Sequence, residues 1–402
     1  MAKQPMVRMQ GYKGEAKELL LKEVCEINPQ SSLPDTFEYV DLESVVGTSM
    51  VSHRSENKIM APSRAQRLAK DGDIFYQTVR PYQKNNYLFI AQNADFVFST
   101  GYAQLRAKIN NEYLFNILQT DCFVNKVLLS CAGTSYPAIS PSSLSEISIK
   151  ITEDLSEQQQ IASYFKSLDS FIQATTKKVS SLKQLKSASL LSMFPQAGET
   201  KPHVRFKGFE GEWVKGKLSQ FASRITRKNL KLESQLPLTI SAVDGLVSQD
   251  LFFNSVVASS NLSNYYLIRK GEFAYNKSYS NGYPFGAIKR LEKYDMGALS
   301  TLYIVFALNN NISSDYLIHF FDTTLWHSDV SKRAAEGARN HGLLNISAED
   351  FLDIDIVFPV SLDEQRLIAN FFRSLDSQIS LESKCLEKLK QIKSVCLNKM
   401  FV

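Results

Sequence analysis

The chain has 402 residues, with 46 Lys+Arg against 41 Asp+Glu, a formal net charge of +5 and 44% hydrophobic residues. That length accommodates two or three domains with sizeable cores, and the ordinary apolar and charged fractions exclude a disordered or fibrous chain. Cys25, Cys122, Cys131, Cys385 and Cys396 contain no C-x-x-C pair, which excludes a disulfide framework and a cysteine zinc site, and no apolar run is long enough to span a membrane.

Met1 to Gln10 lacks the apolar centre of a signal peptide, so a cytoplasmic protein is expected. A charge of +5 is too mild to single out nucleic acid unless it is gathered on one surface. His319 and His327 stand apart from other ligand types in the sequence, and no metal site is expected.

In chain order, Glu38–Val40, Asp73–Tyr76, Tyr87–Ile90 and Phe96–Ser99 are rich in β-branched and aromatic residues and are predicted strands. Glu112–Leu118 is a predicted helix. Basic, amide and hydroxyl residues cluster between these elements. They are Arg64 and Arg67, then Arg80, Tyr82, Gln83, Lys84, Asn85 and Asn86, then Ser135 and Tyr136.

A long helix is predicted from Asp154 to Pro195. Ile161, Phe165, Leu168, Ile172, Val179 and Leu182 follow a 4-3 alternation interrupted at Thr175, the seam of a coiled coil. Asp154-x-x-Glu157 reads as its capping box. Pro195 and the segment to Pro202 end it.

A second series follows. Leu238–Ile240, Glu272–Tyr275 and Thr301–Phe306 are predicted strands and Ser314–Phe321 a helix. The equivalent polar clusters are Lys277, Ser278, Tyr279, Asn281 and Tyr283, then Arg333, Arg339, Asn340 and His341. A second long helix opens on Ser361-x-x-Glu364 and carries Ile368, Phe372, Leu375, Ile379, Leu386 and Leu389 on the same seam, with Glu382 at the interruption.

The two series are copies. Ser156–Phe194 matches Asp363–Phe401 without a gap, and Val7-Arg8-x-x-Gly11-Tyr12 matches Val204-Arg205-x-x-Gly208-Phe209. Such self-similarity dictates the architecture, here a tandem duplication. Two equal helices in one register are expected to pair with each other, each a rod of roughly 55 Å. An antiparallel pair would hold the two globular parts at opposite ends about a pseudo-two-fold axis. That shape suits duplex DNA, whose backbone is locally two-fold. Arg and Lys match guanine and phosphate acceptors, Asn and Gln match adenine, and Tyr and Ser hydroxyls match phosphates.

The doubled motif E-Q-x-x-I-A-x-x-F-x-x-L-D, at Glu157–Asp169 and Glu364–Asp376, and the lead-in Arg205-Phe206-Lys207-Gly208-Phe209-Glu210-Gly211-Glu212-Trp213 resemble the DNA specificity subunits of type I restriction-modification systems. The first copy departs from the lead-in pattern with Ala16 at the tryptophan position.

The resemblance implies an α+β fold. Two mixed α/β target-recognition domains (1–153 and 213–360) would be separated by two long antiparallel helices (154–195 and 361–402) forming a coiled coil, with a linker and lead-in at 196–212. It implies a non-catalytic, sequence-specific subunit reading a bipartite asymmetric target, with the helix pair setting the spacer. Double-stranded DNA, two modification (methyltransferase) subunits and restriction (motor and nuclease) subunits are the implied partners, and the repeated motif would lie on a docking surface. S-adenosylmethionine, ATP and Mg are expected on those partners, and no cofactor on this chain.

A catalytic alternative, nuclease or methyltransferase, finds little support in the residues. Asn28-Pro29-Gln30 and Arg80-Pro81-Tyr82 fail as an adenine-methylating N/D-P-P-Y/F loop, and no G-x-x-x-x-G-K-S/T phosphate loop is present. Asp35, Glu56 and Lys58 have no counterpart in the second copy.

Overall fold

The computed structural model describes residues 7–12, 15–133, 135–241, 244–253, 261–279, 282–309, 311–334, 339–340 and 343–401, with the side chains at 339, 340 and 343 excepted. By contacts the chain divides into two compact units, one of residues 1–177 and 382–402, the other of residues 178–381.

The first unit holds two four-stranded sheets. One runs Arg54–Asn57, Thr36–Val40, Phe96–Ser99, Ala65–Leu68, and its single parallel contact joins Thr36–Val40 to Phe96–Ser99. The other runs Cys25–Ile27, Tyr102–Ala107, Ile74–Gln77, Tyr87–Leu88 and is antiparallel throughout. Phe75, Phe96, Phe98 and Tyr102 are almost fully buried, with Phe75 stacked on Phe98 at 3.6 Å between ring centres. Helices Asn111–Leu118 and Asp121–Leu129 are N-capped by the side chains of Asn110 and Thr120. Strands Lys17–Leu20 and Ser148–Ile151 form a small antiparallel ladder beside the start of the long helix.

The second unit repeats this plan. One sheet runs Gly245–Ser248, Pro237–Ser241, Met296–Leu299, Tyr266–Arg269, again with one parallel contact, between Pro237–Ser241 and Met296–Leu299. The other runs Ala222–Arg224, Ile304–Leu308, Phe273–Asn276, Ala287–Arg290, all antiparallel. Ser313 caps helix Ser314–Phe321 where Asn110 caps its counterpart. Val214–Lys217 pairs with Asp355–Phe358 as the small ladder.

The two long helices, Leu155–Met193 and Leu362–Met400, are 39 residues each, about 58 Å of rise. Within each unit the start of one runs antiparallel to the end of the other. In the first unit Lys393 bonds Asp169, Phe165 stacks on Phe401, and the Tyr164 hydroxyl lies 3.4 Å from Cys396 Sγ. In the second unit Lys186 bonds Asp376 at 2.7 Å and Phe194 packs on Phe372.

These ends also enter the globular cores. Ile161, Phe165, Leu397, Met400 and Phe401 join the core of the first unit, and Met193, Phe194, Ile368, Phe372 and Leu375 that of the second. Leu168 and Val179 are buried too, whereas Ile172, Leu182, Ile379, Leu386 and Leu389 are half-buried. The seam is therefore shared between pairing and domain packing, most completely at the helix ends.

The repeated Glu-Gln at each helix start faces inward. Glu157 takes a two-pronged ion pair from Arg8, with Nε and Nη2 each 2.6 Å from a carboxylate oxygen. Glu364 takes the same fork from Arg205 at 2.7 and 2.8 Å. Asp154 and Ser361 accept from the Glu157 and Glu364 N–H groups, but the glutamate side chains serve the arginines instead of completing a capping box. Gln158 accepts from the Asn110 N–H and donates to the Thr152 carbonyl. Gln365 accepts from Ser313 N–H and donates to the Pro359 carbonyl. All four motif side chains are 1–2% exposed, so the Glu-Gln pair acts as an internal joint and not as docking surface.

Burial opposes the Glu157 carboxylate, yet the Arg8 fork holds its pKa below the ordinary carboxylate value. The lead-ins add a matching backbone contact: Val7 N–H donates to Lys399 O at 3.3 Å and Val204 N–H to Ser192 O at 2.8 Å.

Candidate nucleic-acid interface

In each unit two loops distant in sequence meet at the end of the central strand. In the first, the chain leaves Ile74–Gln77 through Thr78, Val79 and Arg80. Val79 bridges Ala138, Arg80 N–H donates to Pro137 O at 2.8 Å, and Ile139 N–H donates to Thr78 O at 3.0 Å. The Arg80 guanidinium lies over the Tyr136 ring, 4.5 Å from its centre. Ser135 and Tyr136 are exposed, as are Tyr82 and Gln83.

The second unit builds the same junction. Leu344 N–H donates to Lys277 O at 3.0 Å, and Lys277 Nζ donates to Ile346 O at 3.3 Å. Gly286 closes the hairpin that carries the first of these loops. It adopts φ +80°, and a Cβ there would stand 2.0 Å from the Asn276 carbonyl oxygen.

The predicted residues divide by what holds them. Arg80, Tyr82, Ser135 and Tyr136 gather at the first junction, and Tyr279, at the second, is 54% exposed. Ser278 is half-buried beside it, its N–H held by Asn276 Oδ1, and Tyr283 packs partly on the second unit's core. Arg64 is exposed on the turn before strand Ala65–Leu68. Arg67 lies in that strand, where burial lowers its pKa and Nε has no partner among the described residues.

Other predicted residues are committed to the fold. Asn86 is 1% exposed and accepts from Gln77 N–H at 2.8 Å, so it fixes the strand end and presents nothing to a ligand. Asn85 accepts from Gly47 N–H, and Gln83 from the Gln77 side chain. Lys84 donates to Gln119 O at 2.9 Å and pairs with Asp121. Lys277 is half-buried, and burial lowers its pKa. Arg333 pairs with Asp353 at 2.6 Å. Spacing could not show these assignments, since every partner but Gln77 lies far along the chain or in a turn. Asn281 and His341 lie outside the described residues, and Arg339 and Asn340 are described in backbone only, as the short pair with Leu343–Leu344.

Two groups bear on the catalytic alternative. Glu56 sits in a strand opposite Phe37 and pairs with Arg54, and Lys58 N–H bonds Asp35 O, so no metal-binding set forms there among the described residues. His319 is not isolated as its sequence neighbours imply. It lies with Asp322 and Asp376, their ligand atoms within 4.8 Å. Lys186 already holds both carboxylates, at 2.9 and 2.7 Å, and Lys289 adds a second ammonium 3.3 Å from Asp322. A lysine ammonium thus fills the position a cation would take.

Residues 15–184 match the family model of the type I restriction modification DNA specificity domain. Over that stretch, which is less than half of its length, the chain is similar to that domain. One relative is the HindI specificity subunit of Haemophilus influenzae, 28% identical over 163 residues, a match spanning 39% of this chain and 35% of the relative.

The fold is that of the S subunit of a type I restriction-modification system from M. genitalium, with TM-score 0.65 at 17% identity over 100% of this chain and 99% of that one. A chain from a study of complex assembly and conformational transition of the type I R-M system aligns with TM-score 0.54 at 19% identity, over 96% and 97% of the two chains. No helix among the described residues is long and apolar enough to cross a membrane.

Proposed function

We propose that this chain is the non-catalytic DNA-recognition subunit of a type I restriction-modification complex, each unit reading one half of a split, asymmetric duplex target. The observation that carries this reading is the pair of loop junctions. They stand on the same strand-and-helix framework in both units, yet their side chains differ: Arg80, Tyr82, Ser135 and Tyr136 in one, Ser278, Tyr279 and Tyr283 in the other. A duplicated scaffold presenting unlike polar and aromatic loops suits two unlike half-sites.

The functional modules of this reading are the recognition domains 1–153 and 213–360, the helices 154–195 and 361–402, and the lead-in 196–212. Two modification subunits supply S-adenosylmethionine-dependent adenine methylation, restriction subunits supply ATP- and Mg-dependent cleavage, and the complex works in the cytoplasm.

The test is to express the chain with its modification subunits and map methylated adenines genome-wide. The expected result is one bipartite motif. Its absence, or methylation or cleavage by the purified chain alone, would falsify the proposal. Binding to that motif should weaken steeply with salt, in proportion to the number of phosphates neutralised.

A further inference from the structure

We infer that Arg80, whose guanidinium lies over the Tyr136 ring, reads a guanine in the half-site recognised by the first unit, an inference that rests on the DNA-recognition function proposed above. Among the arginines predicted at the interface, Arg80 differs in what surrounds it. Arg333 is neutralised by Asp353, and Arg67 has part of its guanidinium buried. No acid pairs with Arg80 among the described residues; its guanidinium meets the Tyr136 ring at 4.5 Å.

That contact places the charge without an acid to occupy its donors. A guanidinium held by a ring face keeps its fork of N–H groups available, and that fork matches the paired O6 and N7 acceptors of guanine in the major groove. An arginine can also grip a phosphate with two donors, and the two contacts are told apart by whether the loss is confined to one base position.

The backbone is arranged for the same end. Arg80 sits in the left-handed region at φ 53°, ψ 55°, an uncommon conformation for a residue other than glycine. It is pinned there by its N–H bond to Pro137 O. Tyr136 is 66% exposed, so the pair stands at the surface, and Tyr82, two positions beyond Arg80, is 50% exposed. Continuing the match of Gly72–Tyr76 with Gly271–Tyr275 places Tyr279 opposite Arg80, so the second unit has no arginine at this position.

The experiment uses the chain co-purified with its modification subunits on a pool of randomised duplexes, with methylated products sequenced. For Arg80→Asn, which keeps a residue tolerant of the left-handed region, one guanine of one half-site should become degenerate. Discrimination there should fall by on the order of 5- to 150-fold, the value of one bidentate pair, with the other half-site unchanged. Arg80→Lys should relax the same position in part. Tyr136→Phe should preserve the motif, and Tyr136→Ala should relax the same guanine.

An unchanged motif in Arg80→Asn overturns the inference. So does a motif whose relaxed position is not guanine. Uniform weakening across all sequences by a folded variant identifies a phosphate contact and overturns it as well. If the unaltered complex methylates no bipartite motif, the parent function fails and not the assignment of Arg80 alone.

Discussion

The two units share a joint and differ in what surrounds it. In both, an arginine from the lead-in grips the buried glutamate of the helix start, and a lysine from one long helix pairs with an aspartate of the other, Lys393 with Asp169 and Lys186 with Asp376. Around the second crossing the chain adds Asp322, Lys289 and His319, a charge cluster largely closed off from water.

Each crossing borders a groove. The one in the second unit, about 600 Å³, runs past His319, Arg373 and Asp376, and the one in the first, about 330 Å³, is lined by Thr48, Lys84, Gln119, Lys390, Lys393 and Asn398, among others. Helix caps Asn110 and Ser313 align the two, and Gln119 then lies where Asp322 lies, with its Nε2 buried and without a partner among the described residues. Identical joints therefore tolerate quite different electrostatic settings, which separates what the duplicated framework requires from what each copy acquired.

The joints give the largest expected effect. Arg205→Ala strands the Glu364 carboxylate in the core and should cost about 3–5 kcal/mol, and Arg8→Ala the same through Glu157. Both tryptophans, Trp213 and Trp326, lie in the second unit, so their fluorescence in a urea titration reports that unit alone. Arg205→Ala should shift this transition and Arg8→Ala should not, its loss appearing instead in hydrogen exchange of the first unit. A tryptophan shift in Arg8→Ala would break the equivalence of the two joints.

Next comes the charge cluster. Asp322→Asn should lower stability by about 2–3 kcal/mol at neutral pH, since Lys186 and Lys289 lose their shared acid. Burial opposes the Asp322 carboxylate, but His319, Lys289 and Lys186 hold its pKa far below the ordinary range. Burial likewise opposes the Lys186 ammonium, and Asp322 and Asp376 raise its pKa overall.

The carboxylate is depressed, so its contribution is complete above its unfolded pKa of about 3.9 and fades as pH falls through the folded value. The lysine is raised, so its contribution is complete below about 10.4 and fades as pH climbs past that. Tryptophan-monitored unfolding of the unaltered and Asp322→Asn chains should therefore differ by a constant amount between about pH 4 and 10 and converge in strong acid. A gap that instead varies within that window would assign the effect to a group other than this acid and its lysines.

The smallest effect sharpens the comparison from the other side. Gln119→Glu gives the first unit an acid beside Lys84 and Lys393 and removes an unpartnered donor, so it should stabilise that unit by about 0.5–1 kcal/mol. A loss in hydrogen-exchange protection would show that the open groove tolerates no acid.

Much of the framework is legible in the sequence because it rests on local pattern. The 4-3 spacing of Ile161, Phe165 and Leu168 and the aromatic runs at Phe75 and Phe96 are set by burial of neighbours on one face. The joints are not legible in that way. Arg8 and Glu157 are 149 positions apart, and nothing local marks either as a partner.

A signal was nonetheless present. Arg8 recurs as Arg205 and Glu157 as Glu364, and Lys186 and Asp376 recur as Lys393 and Asp169, opposite charges kept together in both copies. The loop side chains carry no such check. Asn86 and Tyr136 stand in equally polar stretches, yet one is enclosed and the other open, a difference set by packing from elsewhere in the chain.

Unit membership also sets a timetable. The first unit's core includes Leu397, Met400 and Phe401, whereas the second is one unbroken stretch from Lys178 to Leu381. During synthesis the first sheets emerge early but wait for some 220 further residues, roughly 10–45 s at ordinary elongation rates, before their last core side chains exist. The unit translated second is thus the first to be whole, and the nascent first unit spends that interval with the apolar face meant for Phe401 uncovered.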